Sequence, residues 1–269
     1  MSRPELLMCP PTHYDVNYVI NPWMEGNVHK ASKQRAIAQW TSLYKELQRH
    51  ATVKLIEPQP GSPDMVFTAN AGLIHGGSAA ISHFQFAERQ EEEPLFCAWF
   101  KASAFDVWEM PRGTSFEGEG DALFATGRTR LWAGFGFRTS LESHAILRQR
   151  LSLEVSSLHL IDPRFYHLDT CFAPLSNGDV MYFPDAFDEP SQRAIAAFYA
   201  PERRIVVKAE DALRFACNVV CLEKTLVLNR ISDSLENQLT QRGFRVVQVE
   251  LDEFLKAGGA AKCLVMHLN

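Results

Sequence analysis

Apolar positions along the chain switch between two periods, and the switch repeats five times. In "SKQRAIAQWTSLYKELQRH", Ile37, Trp40, Tyr44 and Leu47 recur at helical spacing behind Ser32, whose hydroxyl suits a helix cap. "VKLIEP" then reads as a strand, and "VFTANAGLIHGGSAAISHF" as two strands joined at a Gly–Gly turn. The second round is "EEEPLFCAWFKA", "FDVWEMP" and the hairpin "DALFATGRTRLWAGFG", turning at Thr126–Gly127. The third is "SLESHAILRQRL", "EVSSLHLI" and "CFAPLSNGDVMYFP", turning at Asn177–Gly178. "EPSQRAIAAFYA", "RRIVVKA" and "ACNVVCLEKTLVLN" form the fourth, and "SDSLENQLTQRG", "FRVVQVEL" and "CLVMHL" the fifth. The predicted helix starts are Ser32, Gln90, Ser140, Glu189 and Ser232, a spacing in the range of repeat architectures. The final strand lacks a hairpin partner, and the apolar "LLMC" near the N-terminus can supply one. That closure predicts an α/β ring of five ββαβ-type repeats, formed by a single domain over residues 1–269.

Each repeat places polar residues just before its first hairpin strand: "PDMVFTAN", "FEGEGDAL", "FYHLDTC", "RFACN" and "GGAAKC". Around a ring axis, equivalent positions converge, so Asp64, Asn70, Glu117, Glu119, Asp121, His167, Asp169, Cys217 and Cys263 are expected in one funnel. Carboxylates with one imidazole and a thiol suit covalent chemistry on a cation. Each residue alone also fits a structural role. A lone buried cysteine is commonly packing, as Cys97, Cys171 and Cys221 are read here, and Asp64 after Pro63 can cap a turn. Cys263 differs because small residues precede it, which predicts close backbone approach and an uncovered thiol. Cys217 is its fourth-repeat counterpart but follows bulky Phe215. It is the recurrence at one point of the repeat that favours function.

Composition removes several other classes. The 269 residues are 46% hydrophobic and 22% charged, as in ordinary globular proteins. A net charge of −5 without a basic run offers nothing to nucleic acid or an anionic membrane. No apolar run reaches membrane-span length, and "MSRPELLMCPP" lacks a signal-peptide layout, so a cytoplasmic protein is expected. The six scattered cysteines include no C-x-x-C, which argues against a disulfide scaffold or zinc ribbon. No phosphate-binding loop, zinc-protease helix or serine-hydrolase elbow is present, and the remaining histidines lack metal-ligand spacing; no cofactor or metal is expected.

The segments "PDMVFTANAGLI", "FEGEGDAL", "FYHLDTC" and "GGAAKCL" resemble the signatures of guanidino-group-modifying enzymes. These are the arginine deiminases, dimethylarginine dimethylaminohydrolases and amidinotransferases, which share a five-bladed α/β propeller, the pentein fold. The resemblance spans nearly the whole chain, including "DVNYVINPWMEGN", and is closest to the arginine dihydrolases. It implies a small-molecule guanidino substrate, with Cys263 as nucleophile and His167 as general acid and base. Glu117, favoured over Glu119, and Asp169 would grip the guanidinium. Arg138 and Arg89 would bind the substrate carboxylate, Asn21 would line the mouth with Asp64 nearby, and Asp121 would orient neighbours. Deiminases of this superfamily usually end the "F-x-x-D" segment in aspartate, whereas here Asn70 stands there. An amide both donates and accepts, so it could serve a guanidinium and then a ureido group. That points to conversion of arginine to ornithine, ammonia and carbon dioxide, with citrulline as second-round substrate. The alternatives are a one-step hydrolase of arginine or methylated arginine, an amidinotransferase, or a non-catalytic propeller like the translation factors that keep ribosomal subunits apart. A homo-oligomer is compatible with all of them.

Overall fold

The computed structural model describes residues 3–269, and in it each predicted hairpin forms a three-stranded sheet with the strand that follows the next helical connection, so every sheet straddles two of the sequence rounds. β1 (Glu5–Met8) leads through helix α1 (Lys33–His50) to β2 (Thr52–Leu55), which runs parallel to β1. The next hairpin, β3 (Gly72–His75) and β4 (Ser78–Ile81), continues through α2 (Ala87–Gln90) and α3 (Glu92–Ala102) to β5 (Asp106–Glu109), parallel to β4. β6 (Ala122–Phe124) and β7 (Arg130–Phe135) connect through α4 (Leu141–Leu151) to β8 (Glu154–His159). β9 (Phe172–Pro174) and β10 (Val180–Tyr182) connect through α5 (Glu189–Phe198) to β11 (Arg204–Val206). After the single turn α6 (Ala209–Ala212), β12 (Val220–Leu222) and β13 (Thr225–Leu228) connect through α7 (Asp233–Gln241) to β14 (Arg245–Gln248). Past α8 (Asp252–Leu255), the last strand, β15 (Met266–His267), pairs antiparallel with β1 through Leu6↔His267 and Leu7↔Met266. The N-terminal strand therefore completes the fifth sheet.

Local chemistry explains the elements. Gly76 and Gly77 have φ +58° and +81°, the left-handed values that a two-residue hairpin turn needs at both central positions. Ser32, Asp188 and Ser232 cap α1, α5 and α7 with side-chain oxygens on backbone N–H groups. Helix α1 buries Ala36, Trp40, Leu43 and Leu47, a stripe rotated from the predicted one. Ile37 is 44% exposed, and Tyr44 stacks on Trp40 at 5.0 Å between ring centroids. The predicted terminal strand is also shorter: Cys263 lies in a turn ahead of β15. No helix among the described residues is long and apolar enough to cross a membrane.

Just before β3, β6 and β9 the chain makes single tight turns at Thr68–Ala71, Gly118–Gly120 and Leu168–Thr170. These turns pack on one another at the junction of the sheets. They carry the polar motifs, so the repeat brings them together although they lie far apart in sequence.

Candidate active site

The Cys263 thiol sits where these turns meet, and it is buried, with the residue only 3% exposed. The small residues before it have a different job from uncovering it. A Cβ on Gly259 would collide with the Phe67 ring, and one on Gly258 (φ +82°) would come within 2.8 Å of the Tyr166 hydroxyl. They let the chain pass between fixed side chains. Asn218 clamps Cys263 from one side: its Oδ1 accepts the Cys263 N–H at 3.0 Å and its Nδ2 donates to Sγ at 3.0 Å. Both Asp169 carboxylate oxygens lie opposite, 3.7 and 3.6 Å from Sγ.

A second chain of bonds runs through Glu117. Its Oε2 accepts from His167 Nε2 at 2.8 Å and from Arg138 Nη1 at 3.1 Å, and its Oε1 accepts the Gln85 N–H. Burial would raise this carboxyl, but the Arg138 guanidinium and then His167 hold it down at about 2. Asp121 fixes the surroundings, accepting from Leu168 N–H and from Thr139 Oγ1, while Thr139 Oγ1 also accepts the Glu117 N–H. Burial raises Asp121 to about 6 against the pull of His167.

Asn70 joins the two sides. Its Oδ1 accepts from Arg89 Nη1 at 2.9 Å and its Nδ2 donates to the Glu117 carbonyl at 3.1 Å. Because guanidinium only donates, Arg89 fixes which end of the amide is oxygen. Arg89 is itself gripped by both oxygens of Glu92, at 3.0 and 2.7 Å, and also donates to the Asp64 carbonyl. Gly120 packs against Asn70 and His167: an added Cβ would strike Asn70 Nδ2 and lie 3.5 Å from His167 Cγ. Gly120→Ala is therefore expected to cost about 1–3 kcal/mol of stability and, by displacing Asn70, about 10²-fold in turnover. Thermal denaturation and steady-state kinetics would show both effects, and a wild-type-like variant would contradict this packing.

A narrow cavity is lined by Asn21, Asp64, Asn70, Arg89, Arg138, Tyr166 and Cys263, with Ile20, Met24, Phe67, Ala257, Gly258 and Gly259 completing its wall. Arg138 lies over the Phe86 and Tyr166 rings at 4.8 and 4.6 Å, and its Nη2 donates to the Ile20 carbonyl. Asn21 holds the rim, donating to the Ala257 carbonyl and accepting from the Trp23 N–H. Asp64 accepts from the Tyr18 hydroxyl on Oδ2, while its buried Oδ1 has no partner among the described residues. Burial raises its pKa despite Arg89 nearby. An unpaired buried carboxylate oxygen on a cavity wall suits a cationic ligand.

Two of the nine converging residues take another side. Glu119 accepts from Lys262 Nζ at 2.8 Å and from the backbone and ring nitrogens of His267. Lys262, followed by His267, overcomes burial and holds it at about 2. Glu119 and Cys217 line a separate cavity of about 180 Å³ with Lys262, His267 and Asp169. Gly118 separates the two glutamates at φ +62°, where any Cβ would strike backbone atoms of Ala69 and Gly72. Glu117 is thus the glutamate on the cysteine side, bonded to Arg138 and Asn70 of the cavity wall. In the fourth repeat it is Asn218, one residue beyond Cys217, that reaches the thiol. Thr139, Glu92 and Tyr18 also support the site without having stood out in the sequence.

This arrangement is that of the guanidino-group-modifying enzymes. The family model described as "N,N dimethylarginine dimethylhydrolase, eukaryotic" matches residues 4–269, and the chain belongs to that family. It is 54% identical over 268 residues to the bifunctional arginine dihydrolase/ornithine cyclodeaminase AgrE of Nostoc sp., covering 100% of this chain and 38% of that protein. The chain thus spans well under half the length of that relative. It is 39% identical to the N(G),N(G)-dimethylarginine dimethylaminohydrolase of Mycobacterium tuberculosis, covering 97% of this chain and 85% of that one. A crystal structure of the N-terminal domain of ArgZ bound to product, described as an arginine dihydrolase of cyanobacteria, matches with TM-score 0.99 at 52% identity. It covers 100% of this chain and 98% of that domain.

Proposed function

We propose that this chain is an arginine dihydrolase, turning arginine and two waters into ornithine, two ammonias and carbon dioxide. The observation that carries the reading is Asn70: an amide, not a carboxylate, stands on the wall of the cavity that holds the buried thiol. The two relatives described as arginine dihydrolases support it. We read the five sheets as blades of a closed propeller, a reading supported by the β1–β15 pairing. The free cysteines favour a cytoplasmic setting.

Burial and then the Asp169 charge raise the Cys263 thiol well above its ordinary pKa. Burial also lifts Asp169, to about 7, against the attraction of Lys262. A guanidinium entering between Asp64 and Asp169 adds the positive charge that the pair lacks, so substrate binding favours the thiolate. Sulfur then attacks the guanidinium carbon, and His167, steadied by Glu117, delivers the proton to departing ammonia. Water activated by the same imidazole releases citrulline from sulfur. The ureido group then passes through the same steps: a second ammonia leaves, and water frees the remaining carbon as carbamate, which breaks down to ornithine and carbon dioxide. Arg138 and Asn21 are placed for the amino-acid end of the substrate. Arg89, with Glu92 on its fork, acts chiefly by holding Asn70.

Mass spectrometry of products from guanidino-labelled arginine, citrulline and dimethylarginine tests the reading. Ornithine from both arginine and citrulline is the expected result. Conversion that stops at citrulline, or that occurs only with dimethylarginine, would replace it with a one-step hydrolase.

A further inference from the structure

We propose that Asn218 is a positioning residue for the nucleophile: its side-chain amide fixes the Cys263 backbone and supplies the hydrogen bond that stabilises Cys263 sulfur as an anion. The residue is fully buried. Its Oδ1 takes the Cys263 N–H at 3.0 Å, and its Nδ2 donates to Sγ at 3.0 Å and to the Asp169 carbonyl at 3.2 Å. The backbone bond fixes the amide's orientation, because only the oxygen end can accept an N–H. The nitrogen end must then face the sulfur.

The other side chains around Sγ do not provide this. Asp169 lies 3.6 Å away and carries the wrong sign for a thiolate. Lys262 is the neighbouring residue, but its ammonium bonds Glu119 at 2.8 Å and the Val265 carbonyl at 3.1 Å. The Tyr166 hydroxyl donates to the Gly258 carbonyl at 2.7 Å, and His167 is held on Glu117. Among the described residues, Asn218 is the one side-chain donor on the sulfur, and the Ala260 backbone adds to it.

The chemistry uses that donor twice in each cycle. On attack, the thiol proton passes to the Asp169 carboxylate it faces at 3.6 Å, the sulfur–carbon bond forms, and an electron pair moves onto a guanidinium nitrogen. When water has added, that bond breaks and its electron pair returns to sulfur. The sulfur is anionic at both points, and a donor already in place needs no reorganisation. The backbone bond also keeps Sγ from rotating away between steps.

This inference rests on Cys263 being the nucleophile, but its test does not need turnover. Alkylation of Cys263 by iodoacetamide, read by peptide mass across pH, reports the thiol directly. In Asn218→Ala and in the bulkier Asn218→Leu, the alkylation midpoint is expected to rise by about one pH unit, roughly tenfold less thiolate at a fixed lower pH. With arginine, kcat should fall about tenfold while KM stays within about twofold. A purely structural role would lower the melting temperature and leave the alkylation profile in place. A folded variant, judged by circular dichroism, whose profile overlays the unmutated one overturns the proposal. If neither variant folds, asparagine-labelled unmutated protein decides by NMR. One side-chain amide must shift as Cys263 titrates and cease to do so in Cys263→Ala; no such signal also overturns it. If unmutated protein titrates as expected but turns over no arginine, the functional reading fails and this one stands.

Discussion

Cys263→Ser is expected to abolish the proposed turnover of arginine, by on the order of 10⁴-fold or more, while leaving the fold intact. The expectation follows from what surrounds the atom. Sγ lies between the Asn218 amide at 3.0 Å and the Asp169 carboxylate at 3.6 Å, in a site closed to water. A hydroxyl fits that space and can keep the Asn218 contact, so thermal stability should change little. A serine hydroxyl has almost no ionised fraction at neutral pH, and the Asp169 charge would depress it further. Calorimetry should still detect arginine binding, because Asp64, Asn70 and Arg138 are untouched. Binding without turnover assigns the loss to chemistry. More than about one per cent residual activity would remove Cys263 from the nucleophile role. Cys217 would not take its place, since it lines the other cavity.

Much of this was legible in the sequence because it depended on local pattern. Gly–Gly, Thr–Gly and Asn–Gly turns mark the hairpins, and helical spacing marks the connections. Recurrence of polar residues at one point of each repeat placed Cys263, His167, Glu117, Asp169, Asn70 and Asp64 at one centre. What remained hidden depended on a single step of backbone direction. Glu117 and Glu119 look interchangeable in "FEGEGD", but the tight turn at Gly118 sends one to His167 and Arg138 and the other to Lys262. Cys217 looked like the fourth repeat's contribution, whereas its neighbour Asn218 faces the thiol. Arg89 in "AERQEEE" could pass for the exposed start of a helix. Its pairing with Glu92 three residues on, both buried, is visible only once α2 and α3 are packed. Ile37 shows the same limit in the core, since an apolar residue at helical spacing can still fall just outside the buried stripe.

Asn70→Asp is expected to divide the two cycles, sustaining the first and stalling the second. The amide now donates from Nδ2 to the Glu117 carbonyl and accepts at Oδ1 from Arg89. This sharpens the idea of an amide that serves either substrate, because each end already has one protein partner. What remains is a second N–H and a second lone pair. Citrulline brings a neutral ureido group whose oxygen needs a donor, and the spare N–H is the group that a carboxylate lacks. The substitution adds a negative charge to a cavity that already holds Asp64, with Asp169 at its thiol. It sets an acceptor against the Glu117 carbonyl and strengthens the grip of Arg89. A cationic guanidinium tolerates or gains from that charge. A ureido oxygen loses its donor and meets repulsion, at a cost of about 1–3 kcal/mol, or roughly ten- to a hundredfold. Citrulline should therefore accumulate, with its ratio to ornithine rising at least about tenfold in product analysis of guanidino-labelled arginine. Added citrulline should be consumed at a correspondingly lower rate, while disappearance of arginine stays within a few fold of wild type. An unchanged ornithine yield would mean that the second cycle takes its donor elsewhere, and Asn70 would then serve only to connect Arg89 with Glu117.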